Sequence, residues 1–206
     1  MIARAAINPG RIFWTGENHC LYLEAGPTGP WTAAFTTFHV KHSPHGSGSG
    51  VFALSNPQAS GPDQGNLCLS DNEPLFRWLA EQIVSHYGAF KDRPAFRHLA
   101  HVPLSSFRQE RPRHDAFRES FTSGGRHVTL EWLDLEEPVF LELPPEKTST
   151  RKHEVFGSYV TARAASASID GRALPGSVFA KPFLGRETTT AYLIFSETWV
   201  DTAPGR

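Results

Sequence analysis

Cysteine is nearly absent from this chain: Cys20 and Cys68 are the only two, and no C-x-x-C pair occurs. That excludes a disulfide-stapled scaffold or a zinc finger, and leads us to expect two reduced thiols in a cytoplasmic protein. Methionine occurs once, at position 1, which excludes a Met-rich adaptable surface. Long apolar runs are missing too. None approaches the roughly 20 residues of a membrane helix, so no membrane partner is expected. The opening MIARAAINPGRIF has too short an apolar stretch for a secretory signal. Neither sign of charge dominates: 20 Lys and Arg stand against 21 Asp and Glu, a net charge of −1. This argues against nucleic acid or an anionic membrane surface as a partner. No glycine loop joins a strand to a helix as a dinucleotide site requires, and no G-x-S-x-G or H-E-x-x-H occurs. No organic cofactor is therefore expected, and a doubly wound parallel sheet does not fit.

What is present is a chain of 206 residues, 39% hydrophobic and 12% aromatic, enough for a core in a single domain spanning 1–206. Ser70 to Gly88 is its one long helical stretch. Ser70 and Glu73 fit a capping box, and Pro74 falls where a missing N–H costs nothing. Gly88 suits a stop. Leu75, Trp78, Leu79 and Ile83 make one apolar stripe, and Phe76, Ala80, Val84 and Tyr87 a second beside it. So wide a face predicts a helix over about 71–87 packed against a sheet.

The flanking segments read as strands. RIFW, CLYLEA and WTAAFTTFHV are short, aromatic and β-branched, with glycine and proline between them. In the third, Ala33, Phe35 and Thr37 share one face while Ala34, Phe38 and Val40 share the other, so both sides are expected to be covered. Gly124–Gly125 and Asp170–Gly171 mark tight hairpins, and Gly185–Arg186 is read as a third turn. The fold predicted is mainly β: an antiparallel barrel or strongly curved sheet with one main helix packed on it. A hot-dog-like sheet wrapped around the helix is the alternative.

Chemistry could sit in several places. His39, His42 and His45 recur every three residues before a Gly-Ser loop, and imidazoles so spaced could bind a transition metal. The plainer account is a polar hairpin loop. Between Phe90 and Glu119, arginines alternate with phenylalanines. They could grip an anion, or form a salt-bridged surface with the rings turned inward. With two-residue turns, Glu197 falls between Phe195 and Trp199 on one strand face, and Lys181 between Phe179 and Phe183. A carboxyl among rings has its charged form disfavoured, which suits a general acid or base, and a desolvated lysine becomes a nucleophile. The same register sets Tyr159 and Arg163 beside Glu197 and Trp199, and places Tyr192 on the other face.

Three readings of function follow. The first is a module that binds a small, partly apolar, anionic molecule, walled by Tyr159, Trp132 and Trp199 and held by Arg163. The second is a cofactor-independent isomerase, cyclase or hydrolase with Glu197, Lys181 or a histidine as the working group. The third is a metal-dependent enzyme built on His39, His42 and His45. A homo-oligomer is compatible with each.

Overall fold

The computed structural model describes residues 11–183 and 185–201; the N-terminal stretch considered above for a signal lies mostly outside them. Strands β1 (Arg11–Glu24), β2 (Trp31–His42), β3 (Gly48–Leu54) and β4 (Asn66–Ser70) lead into helix α1 (Glu73–Gln82) and a short helix α2 (Pro94–Arg97). Then follow β5 (Ala100–Pro103), β6 (Ser106–Arg113), β7 (Ala116–Ser123), β8 (Arg126–Leu135), β9 (Val139–Leu143) and β10 (His153–Ile169). The last are β11 (Arg172–Ala173), β12 (Ala180–Phe183), β13 (Arg186–Thr189) and β14 (Ala191–Asp201). Ten strands form one strongly curled, half-barrel sheet in the order β5-β4-β3-β2-β1-β14-β10-β8-β7-β6. Short strands β9 and β11 also pair with β10, and β12 and β13 form a separate hairpin. All pairings are antiparallel except β4 with β5. Between the two end strands, the amides of Leu104 and Ser105 donate to the carbonyls of Ser70 and Thr122.

Each long strand carries apolar groups on both faces because the sheet is covered on both. The concave face holds one core, built from Leu21, Phe35, Val51, Leu69, Phe121, Leu130 and Trp132. The convex face of β1–β4 holds a second with α1: Phe38, Phe52 and Cys68 pack on Leu75, Phe76, Leu79 and Val84. Burying a side chain of this size stabilises by about 1.5–3 kcal/mol, so two such layers account for the wide apolar face of the helix. The alternation of β2, and of Val128, Leu130 and Trp132 in β8, falls as expected. The hot-dog arrangement does not occur: the helix lies on the convex face, and the sheet curls around side chains alone.

Boundaries differ from the sequence reading for local reasons. Ser70 is paired with Gly50 in the sheet and cannot cap. Asn72 caps instead, its Oδ1 accepting from the Leu75 amide at 3.1 Å. The helix ends near Ile83, and a single 3-10 turn (Val84–His86) carries the chain on to Tyr87. Gly16 does not interrupt β1. It lies inside the strand, where a Cβ would collide with the His39 carbonyl. The hairpins at Gly124–Gly125 and Asp170–Gly171 form, all four residues having positive φ. The third turn falls one residue earlier than expected, since Arg186 already pairs with Phe183.

One irregularity decides the site. Opposite β10, Thr198 pairs with Phe156 and Phe195 with Ser158, so β14 carries one residue more than its partner. Ser196 takes φ 51°, and this β-bulge reverses the alternation of side chains beyond it. Phe195 points into the concave core with Leu193, whereas Glu197 and Trp199 join Tyr192 and Ile194 on the convex side.

Candidate functional site

The convex face opens into a pocket of about 190 Å³ between β1, β10 and β14 beneath, and Tyr87, β9 and Lys147–Ser149 above. The protein has four tyrosines, and all of them line it: Tyr22, Tyr87, Tyr159 and Tyr192. Tyr159 stacks on Tyr192 at 5.0 Å and on Phe183 at 5.6 Å. The Tyr87 hydroxyl donates to Asn18 Oδ1 at 3.0 Å, while that of Tyr22 is buried without a hydrogen-bond partner of ordinary geometry among the described residues. A second cavity of about 360 Å³ shares Tyr22, Gly88, Tyr159, Phe183 and Tyr192 and runs toward Lys181. Beyond Tyr159 lies a wider groove of about 940 Å³ along β9 and β13.

Glu197 sits on the pocket wall and is 2% exposed. Its Oε1 accepts from the Trp199 indole N–H at 2.9 Å, and its buried Oε2 has no hydrogen-bond partner among the described residues. Desolvation pushes the carboxyl up to about 8, against only the Trp199 hydrogen bond pulling it down. Such a group is neutral near pH 7 and can donate a proton, or it awaits a cation. Burial also pushes the Cys20 thiol behind it up to about 11 and raises the tyrosine hydroxyls.

A second polar cluster occupies the concave face at the same level. His39 Nε2 lies 2.7 Å from Glu119 Oε1. His19 Nε2 lies 3.7 Å from that oxygen and 3.6 Å from Glu17 Oε2. The Gln109 amide donates to both glutamates. Burial alone would raise Glu119. His39 and His19, with the hydrogen bonds of His39 and Gln109, outweigh it and hold the carboxyl below its ordinary value. Glu17, facing His19, is held at about 2. The Ile194 amide donates to His19 Nδ1 at 3.3 Å, so the hydrogen-bond network assigns the ring proton to Nε2. A metal on Nε2 would drive that proton onto Nδ1, against the amide. Among the described residues no group of three or more His, Cys, Asp and Glu side chains is arranged to hold a metal ion.

The structure brings together only part of the expected set. Glu197, Tyr159 and Trp199 meet in the convex pocket. Phe195 leaves that face, and Tyr192 enters it, because of the bulge at Ser196. Lys181 lines the adjoining cavity, but its Nζ is 2.9 Å from Glu24 Oε1, an ion-paired amine and not a bare nucleophile. Arg163 is turned outward, bonded to Glu136 and Glu187. Trp132 is in the concave core, its indole donating to the Cys20 carbonyl. The histidine triplet is dispersed: His39 points inward to Glu119, while His42 and His45 are exposed around the hairpin and His45 lies against Trp78. The arginine-rich stretch is largely surface, with Arg108 on Glu110, Arg113 on Asp115 and Arg118 on Glu131, and its phenylalanines pack inward.

Sequence reasoning missed Tyr22, Tyr87, Tyr192, Asn18, His19 and Glu119 as site residues. The scarcity of tyrosine was the one available signal, and it says nothing of where the four meet. Comparison with protein-family models finds no match, and comparisons with curated proteins and with solved structures find none either.

Proposed function

We propose that the protein binds a small, partly apolar molecule in the convex pocket. The observation that carries this is the gathering of all four tyrosines around Glu197, with its unpartnered Oε2, in a cavity that adjoins two others. Apolar walls with a few convergent polar groups are what ligand sites use: the walls supply affinity, and the polar groups fix orientation. An anionic ligand loses its support, because Arg163 lies outside and Lys181 is paired with Glu24. A cofactor-independent enzyme is the second reading, favoured by a carboxyl raised to about 8 with one oxygen free to donate.

The test is calorimetric titration of the tag-free protein with 2-naphthol, a neutral aromatic hydroxyl compound, followed by indole N–H resonances. One-to-one binding that moves the Trp199 resonance and leaves Trp132 in place is expected. No saturable heat with 2-naphthol or with a charged aromatic counterpart, or movement of Trp132 alone, would sink the reading.

A further inference from the structure

The pocket has an unmet charge requirement. Among the described residues Glu197 is buried with one oxygen lacking a hydrogen-bond partner, and no basic group faces it: besides burial, the neutral Trp199 indole acts on its ionisation. Lys147, the one cationic residue on the pocket wall, is exposed at the rim. Rings surround the carboxyl where a basic side chain would ordinarily stand, and the faces of tyrosine and tryptophan attract cations through their quadrupoles. The neighbouring groove continues the same sign. Its walls carry Glu136, Glu137 and Glu187 against Arg186, and Arg163, bonded to Glu136 and Glu187, leaves the set net negative.

On the reading that this pocket binds a small molecule, we infer that its ligand is an organic cation, an ammonium group on an apolar body, seated among the tyrosines against Glu197 Oε2. The cation is the counter-ion the protein does not provide. Binding ionises the carboxyl and releases its proton, and the acidic groove draws positive charge toward the mouth.

Benzyltrimethylammonium, whose charge is permanent, is the probe, with 2-naphthol as the neutral comparison. Wild-type protein is expected to bind the cation, and Glu197→Gln to weaken that binding at least tenfold more than it weakens 2-naphthol binding. The wild-type protein gives an independent answer. Affinity for the cation should rise from pH 6.5 to pH 8.5, with proton release, while that for 2-naphthol should not. Among the groups lining the pocket, Glu197 is the one raised into that window. Cys20, Tyr22, Tyr87, Tyr159 and Tyr192 are raised out of it by burial, and His153 beyond Trp199 is lowered beneath it, chiefly by desolvation. Binding of 2-naphthol without the cation, or a Glu197→Gln variant that binds the cation unchanged, would overturn the inference and leave the pocket reading standing. Failure of both probes would overturn the two together.

Discussion

Two buried glutamates lie back to back on one sheet and behave oppositely. Glu197, on the convex face, is pushed up to about 8. Glu119, on the concave face and 0% exposed, is held below its ordinary value. Burial acts in the same direction on both. Each leaves its Oε2 without a hydrogen-bond partner among the described residues; the difference lies at Oε1, where two imidazoles and an amide face Glu119, whereas a single indole serves Glu197 in a pocket lined by tyrosines. A carboxyl faced by imidazoles from within is held as a structural element, whereas one faced by no basic group is, on the proposed reading, where a ligand would bind.

The largest expected effect comes from removing the partnered group. Glu119→Ala strands His19 and His39 in the core and should cost about 3–5 kcal/mol, as breaking a buried pair does, read from urea denaturation at pH 7. A loss under 1 kcal/mol would erase the contrast between the faces. Next comes Gly16, which pairs with Glu197 on one strand and backs onto the His39 carbonyl on the other. Gly16→Val should destabilise by about 1–3 kcal/mol through overpacking and should disturb both sites, visible in the Trp132 and Trp199 indole resonances.

The pH dependence separates the two carboxyls by sign. The ordinary value for Glu197 is 4.5 and its folded value about 8. Between them the native state keeps a proton that the unfolded chain has released, so stability falls as pH rises, by up to about 1.4 kcal/mol per pH unit. Glu197→Gln should remove that slope between pH 5 and pH 8; an unchanged slope would mean the group is not buried and unpaired. Glu119 and Glu17, held low, act the other way: their contribution is present above 4.5 and is lost as pH falls below it, for Glu17 toward about 2. The smallest effect belongs to Arg163→Ala, on an exposed side chain with acidic partners. It should leave both the denaturation midpoint and 2-naphthol binding unchanged. Weakened binding would restore Arg163 as a ligand group.

Most of the fold was legible because it depends on local period. The double stripe of α1, the two-sided apolar pattern of β2 and the Gly124–Gly125 and Asp170–Gly171 turns each fix their structure within a few residues. The site was legible only at Glu197, Tyr159 and Trp199. Their faces were assigned by counting alternation along β14, and the count fails at Ser196, which no turn residue announces. Phe195 and Tyr192 exchange faces for that reason alone. His39 was noticed for its neighbours in sequence, His42 and His45, when its real neighbours are His19 across one ladder and Glu119 on a distant strand. Spacing along a hairpin predicts coordination only if the chain stays helical, and Pro44 prevents that.

The bulge at Ser196 also sets which kinds of mutation this protein can tolerate. Side chains on a strand obey parity, and the extra residue shifts everything beyond it by half a period. Deleting Ser196 would remove the extra residue and leave Glu197 opposite Gly157, still on the convex face with Trp199; a strand that kept Ser196 but regained regular alternation would instead carry the Glu197 carboxyl through the sheet into the aromatic interior beside Phe117. The pocket survives loss of the extra residue, but a change that straightened the strand with Ser196 still in it would remove the pocket.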